Sequence, residues 1–306
     1  MKSKLPDNTS LNSSFSLCDI GVNLMNSAFD RDRETVIDSA VAAGVTTLII
    51  TGSSIESSSE ASAFAQTHEH CFSTAGVHPH NAKNWDGAER LRTLAMGEPA
   101  QLNQRSVIVA IGECGLDYNR NFSPPEAQRK CFEEQLALAA QLQKPVFLHE
   151  RDAFGDFLAI LKNYRASLPG VVVHCFTGGI AELEAYLTLD CHIGITGWIS
   201  DERRGSHLIP LLRLIPPERL LLETDAPYLL PRTMPRPIPQ ATTVRGKSGR
   251  NEPRFLSYIA AFAADILETT PDDIAAQTSA NAARLFNLPT ATLTDTAHRY
   301  QAESPL

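Results

Sequence analysis

Six ionisable residues fall where short apolar runs give way to polar sequence: Asp19, His78, Glu113, His149, His174 and Asp225. Read as residues at the C-terminal ends of buried strands, they converge on one face. Four of them, Glu113, His149, His174 and Asp225, form a mixed nitrogen and oxygen donor set for a divalent metal. Such a set suits zinc or manganese, or magnesium where carboxylate and water dominate. The metal would lower the pKa of a bound water and polarise an ester or phosphoryl oxygen. Asp225 could then accept the proton. Taken singly, each residue has a plainer reading. A strand histidine is usually a satisfied core or rim residue, and a strand-end glutamate a cap or an ion pair. The argument for chemistry is the coincidence of four at one rim.

Other residues carry lesser signals. Gly76-Val77-His78-Pro79-His80 places two histidines near that rim, and His78 is the better candidate for holding a phosphate. Arg151 follows His149 by two and points to the same mouth, with a surface salt bridge as the alternative. Glu223 shares a face with Asp225 one layer lower, where a buried carboxylate would steady a metal ligand from behind. Cys114 and Cys175 directly follow two proposed ligands. Alternation turns them away from the axis, as small buried hydrophobes. No nucleophile elbow and no Walker loop is present.

The elements that must position these residues are legible as hydrophobic pattern. Eight short, nearly continuous apolar runs read as strands buried on both faces of a parallel sheet: 17–22, 45–51, 72–77, 107–113, 145–149, 171–174, 192–196 and 220–224. Alternation along them places Phe147 with His149, Val172 with His174, and Ile111 with Glu113. Between the strands lie segments of helical period. Residues 31–43 align Val36, Ile37, Ala40 and Val41 and stop at Gly44. Residues 124–142 open on Pro-Pro-Glu and carry Phe132, Leu136, Ala139 and Leu142. Residues 152–164 carry Phe154, Phe157, Leu158 and Leu161, and helices return at 254–267 and 271–285. Eight strand–helix units predict a closed (β/α)8 barrel with its site at the C-terminal strand ends. The alternative, a doubly wound open sheet, lacks a GxGxxG after the first strand.

Composition sets limits. The chain has 306 residues, ample for one such barrel at 17–288 between a disordered extension at 1–16 and a polar tail at 289–306. There is no run of ~18 apolar residues to span a membrane, and no apolar segment near the start for secretion. Six scattered cysteines without a CxxC read as reduced thiols of a cytoplasmic protein. No exposed apolar stripe is evident, so a monomer is the default expectation. The net charge of −8 argues against a broad nucleic-acid footprint. Yet 232–254, a proline-rich stretch after the eighth strand, holds six basic residues against Glu252 alone, and Arg250 among them is a candidate substrate contact. A local phosphate grip at the mouth is enough for a single strand end.

In order, the segments that carry these residues are Cys18-Asp-Ile-Gly-Val-Asn-Leu24, Ser73-Thr-Ala-Gly-Val-His-Pro-His80, Ala110-Ile-Gly-Glu-Cys-Gly-Leu-Asp117 and Pro145-Val-Phe-Leu-His149. They continue as Val173-His-Cys-Phe-Thr-Gly178, Gly194-Ile-Thr-Gly-Trp198, Asp201-Glu-Arg-Arg-Gly205, Leu222-Glu-Thr-Asp-Ala-Pro-Tyr-Leu229 and Arg250-Asn-Glu-Pro253. The sequence resembles the TatD family of metal-dependent deoxyribonucleases over about 18–288. The resemblance implies an amidohydrolase-type barrel with Glu113, His149, His174 and Asp225 as metal ligands. It implies magnesium-dependent 3′–5′ exonucleolysis of single-stranded DNA and RNA from their 3′ ends, with a role in DNA repair. Some relatives are instead associated with removing D-amino acids from tRNA, an alternative hydrolysis that the same ligands would serve. Many relatives carry His-x-His after the first strand for a second metal. Here those positions read Gly21-Val22-Asn23, which resembles the TatD subgroup proper.

Overall fold

The computed structural model describes residues 16–97, 105–234 and 249–289. Eight strands, β1 (Leu17–Val22), β2 (Val45–Ile50), β3 (Cys71–Ala75), β4 (Ile108–Asp117), β5 (Val146–Arg151), β6 (Val171–Val173), β7 (His192–Ile195) and β8 (Leu220–Leu222), lie in one sheet in sequence order. Each neighbouring pair is parallel. The helices are α1 (Arg33–Ala42), α2 (Ile55–Thr67), α3 (Glu89–Met96), α4 (Pro125–Leu142), α5 (Phe154–Tyr164), α6 (Ile180–Thr188), α7 (Leu208–Leu212), α8 (Leu256–Leu267) and α9 (Pro271–Phe286). This is the (β/α)8 barrel, and the sequential strand order excludes the doubly wound sheet.

The sheet closes at a β1–β8 seam made largely by side chain and loop backbone. Thr224 donates its N–H and its hydroxyl to the two Asp19 carboxylate oxygens at 2.9 and 2.5 Å. Beyond it, the Asp225 N–H reaches the Gly21 carbonyl at 2.9 Å and the Asn23 N–H reaches the Ala226 carbonyl at 2.8 Å. Asp19 is fully buried, and burial pushes its carboxyl up to about 8. Of the six ionisable residues singled out, Asp19 is therefore part of the wall.

Two layers of core follow from the period-2 alternation of the strands. Cys18, Ile20, Ile49, Phe72, Val109, Phe147, Val172 and Leu221 fill the barrel interior, joined by Phe286 at the end of α9 and Leu288 just past it. Leu17, Leu48, Val146 and Leu148 face outward against Phe132, Phe157 and Tyr186. The helical stripes read from sequence are the faces that pack. Val36, Ile37 and Ala40 of α1 are buried, as are Phe132, Leu136 and Ala139 of α4, and Phe157 and Leu161 of α5. The α1 turn ends where Gly44 adopts φ +85°, a conformation natural only to glycine. Pro125 opens α4, and Gln143 closes it in the left-handed region.

Two expectations need correction. β4 runs on to Asp117, and its register shifts between Ile111 and Cys114, around Gly112 at φ +140°. Ile111 therefore packs in the outer layer, and it does not share a face with Glu113. The 232–254 stretch is described only in part: Arg236, Arg245 and Lys247 lie outside the described residues, as do the two tails apart from Ser16 and Pro289. All six cysteines are free thiols. Among the described residues no helix is long and apolar enough to cross a membrane.

Candidate metal centre

Glu113 is the hub of the C-terminal mouth. Its Oε1 lies 2.9 Å from His174 Nε2, 3.1 Å from His149 Nδ1 and 3.4 Å from His78 Nε2. The two nitrogens of His149 and His174 that face it are 3.4 Å apart. Each residue arrives from a different strand end. Glu113 projects inward from the shifted β4, His149 lies in β5, His174 stands one residue past β6, and His78 opens the turn after β3. Glu113 and His78 are also one geometric trio with His149, its ligand atoms all within 4.8 Å of one another.

Hydrogen bonds on the far side of His174 and His78 orient those two rings differently toward the mouth. A neutral imidazole that donates from one nitrogen presents a lone pair on the other. His174 has Nδ1 against Glu223 Oε2 at 3.3 Å, which turns Nε2 toward Glu113 at 2.9 Å. His149 turns Nδ1 toward Glu113, and its buried Nε2, 3.8 Å from Asp117, makes no hydrogen bond among the described residues. His78 is wired the other way. Its Nδ1 accepts the His80 N–H at 3.1 Å, so its proton sits on Nε2 and points at Glu113. That makes His78 a hydrogen-bond donor to the mouth, and it leaves Glu113, His149 and His174 as the three groups whose facing atoms lie within 3.4 Å of one another. Burial pushes His78 down to about 3, against the pull of Glu113, so it donates as a neutral ring.

The charges in the centre answer one another. Burial opposes ionisation of Glu113, but His78 and His174 more than offset it and hold the carboxyl well below the usual range. Burial pulls His174 down, and Glu223 with Glu113 overrides it, so the ring sits well above an ordinary histidine. His149 is likewise raised despite burial, by Asp117 and Glu113. Asp225 belongs to the same field. Burial pushes it up to about 7, opposed by His174 and reinforced by Glu113 and Glu223. Its Oδ1 accepts from Asn23 Nδ2 at 2.8 Å. So Asn23, just past the end of the first strand, holds Asp225 in place.

Glu223 is fully buried and accepts twice, from His174 Nδ1 and from the Cys175 N–H at 2.5 Å. Its carboxylate has room only because Gly21 and Gly194 flank it; a methyl at either would collide with its oxygens. Glu223 thus stands behind His174, where the sequence reading expects a buried carboxylate.

Other candidates separate. Arg151 lies at the mouth, donates to Thr177 Oγ1 at 3.2 Å and sits over the Trp198 ring at 5.2 Å. With Thr177, Trp198, Arg204 and His207 it lines a cavity of about 240 Å³. Among the described residues it makes no ion pair within 4 Å. Arg250 is a correction. Its side chain is only 5% exposed, held by Asp32 Oδ2 at 2.7 Å and Glu252 at 2.9 Å and laid over Phe29. It ties the incoming chain to the start of α1 and has no face for substrate. Arg232 and Arg254 are likewise engaged, by Asp201 and Glu252. Cys114 is buried as expected, but Cys175 is half-buried beside the centre, because it follows the strand end at φ +47° where alternation no longer applies. Asp117 was missed. It is 3% exposed, holds His80 Nε2 at 2.7 Å and faces His149. Its signal was the short spacing from Glu113 within one motif, hidden by reading the strand as ended.

An in-order parallel barrel with an imidazole–carboxylate cluster at its C-terminal mouth has the layout of a metal-dependent hydrolase barrel. Residues 18–287 match the family described as "TatD related DNase", and the chain belongs to that family. A protein of Cronobacter sakazakii named "3'-5' ssDNA/RNA exonuclease TatD" is 51% identical over 269 residues, covering 88% of this chain and 97% of that one. A protein of the same name from Erwinia billingiae is 51% identical over 89% of this chain and 99% of its own. The crystal structure of a TatD homologue from Escherichia coli K12 superposes with a TM-score of 0.76 at 27% identity, covering 89% of this chain and 98% of that one.

Proposed function

We propose that this protein is a metal-dependent 3′–5′ exonuclease acting on single-stranded DNA and RNA. The observation that carries the reading is the wiring of the centre. Glu113, His149 and His174 bring one carboxylate oxygen and two imidazole nitrogens to one point, with His174 held from behind by Glu223. That donor set fits a divalent ion, with Asp225 as a further ligand from across the barrel. The names of relatives at 51% identity support the substrate. Magnesium is the ion we favour, since the mouth adds carboxylates to the imidazoles.

When bound, the ion would supply Lewis acidity at a phosphoryl oxygen and make a bound water more acidic. The chain supplies the rest. His78 offers a neutral Nε2–H to a phosphate oxygen, and Arg151 offers a guanidinium beside the same mouth. Asp225, raised toward neutrality and held by Asn23, is placed to accept the proton of the attacking water.

The test is shortening of a 5′-labelled single-stranded oligonucleotide, with magnesium and with chelator. A ladder growing from the 3′ end that chelator abolishes is expected. Absence of metal-dependent shortening would overturn the reading, and turnover of a D-aminoacyl-tRNA in its place would redirect it to that alternative.

A further inference from the structure

The loop between β4 and α4 holds an aromatic ring out in solvent on a pinned backbone. Phe122 is 58% exposed. Its neighbours are anchored in both directions. Ser123 is buried, donates to the His80 carbonyl at 2.9 Å and accepts the Lys83 N–H at 3.0 Å. Gln128 Nε2 holds the Ser123 carbonyl at 2.8 Å. On the other side, Asn121 Nδ2 folds back to the Tyr118 carbonyl at 2.7 Å, and Asp117 accepts the Arg120 N–H at 2.9 Å.

A single exposed apolar residue needs no explanation. What sets Phe122 apart is its place. Its ring lies 4.7 Å from that of His80, which lies 4.2 Å from His78, which lies 4.5 Å from His149. An unbroken line of rings therefore runs from the metal centre to the rim, with Phe122 as its outer end. The support is itself fixed, because buried Asp117 holds His80. Among the described residues, the large exposed apolar side chains are Met96, Phe122, Ile180, Leu214 and Tyr228, and Phe122 is the most exposed aromatic of them.

We propose that Phe122 is a stacking platform for a nucleobase flanking the scissile phosphodiester. This rests on the exonuclease reading and deepens it by naming how the strand end is gripped. Single-strand binders use aromatic faces because every base offers a π-face, so the grip is indifferent to sequence. A ring carried on an anchored loop loses little conformational freedom when a base settles on it. It also offers a grip without charge, which suits a chain whose net charge is −8.

The experiment compares kcat/KM for a short single-stranded oligonucleotide with that for versions carrying one abasic residue at each of the last three 3′ positions. The wild type, Phe122→Leu and Phe122→Trp are each assayed with magnesium. Removing a stacked base should cost the wild type about 5- to 150-fold at one of the two positions flanking the scissile bond. Phe122→Leu should lose a similar factor on the intact strand and nothing further on the abasic one, and Phe122→Trp should restore the wild-type pattern. An abasic penalty in Phe122→Leu equal to the wild type's at every position would overturn the proposal. So would a loss in Phe122→Leu that Phe122→Trp does not restore, since that marks a structural role. Failure of the wild type to shorten any of the strands would overturn the exonuclease reading and this inference with it, whereas shortening without coupling removes the Phe122 assignment alone.

Discussion

Replacing Glu223 with glutamine changes no shape and should still disable the centre. The Glu223 carboxylate has two oxygens and faces two donors, His174 Nδ1–H and the Cys175 N–H. A carboxylate only accepts, so both are satisfied. An amide of the same outline offers one acceptor and one donor group. Whichever way it turns, one N–H of the protein meets an NH2 group. An unmet buried donor costs about 1–3 kcal/mol, and His174 can escape it only by moving its proton to Nε2 or turning its ring. Either escape removes the lone pair aimed at Glu113. Losing such a support typically weakens metal affinity or activity about 10- to 100-fold, which is about 1.4–2.7 kcal/mol and matches the cost of the unmet donor. The assay is calorimetric titration of chelator-stripped Glu223→Gln with a divalent ion, beside kcat/KM on labelled oligonucleotide. A melting scan confirms that the variant is folded. Metal affinity and kcat/KM both within twofold of wild type would refute the claim that Glu223 sets the His174 tautomer.

Glu113→Ala and His174→Ala should each abolish turnover in protein that still melts cooperatively; near wild-type rates in either would remove the ligand assignment. Arg151→Ala should raise KM for oligonucleotide and leave kcat largely intact, and a loss confined to kcat would move Arg151 from binding to chemistry. Arg250→Ala should act on stability, lowering it by about 3 kcal/mol because a buried pair is broken while Arg254 still faces Glu252, with no rise in KM. A KM effect without a fall in Tm would restore Arg250 to the substrate site. Asp19 binds a proton on folding, since burial raises it to about 8. Its contribution is thus fully present below about pH 4 and lost as pH rises through 8. Asp19→Asn should match the wild type in acid and melt higher at pH 9; equal Tm values at both pH values would show that Asp19 is ionised in the fold.

The sequence by itself determined the barrel. Strands buried on both faces write themselves as short continuous apolar runs, and helices packed on one side as stripes of period 3.6, so both are local signals. It also determined the chemistry at the mouth in kind. Glu113, His149 and His174 do meet, because strand ends in a parallel barrel all open to one face. Three things were decided only in the tertiary structure. The direction of Glu113 follows from a register shift in β4, which alternation cannot foresee. The fate of Arg250 depends on Asp32, far away in sequence, and a basic residue looks the same in a list whether it grips substrate or a neighbour. Finally, the division of labour among the imidazoles lies in what stands behind each ring. Glu223 behind His174 and the His80 N–H behind His78 place the proton on opposite nitrogens. A proton's position is set by partners in three dimensions, and no spacing along the chain encodes it.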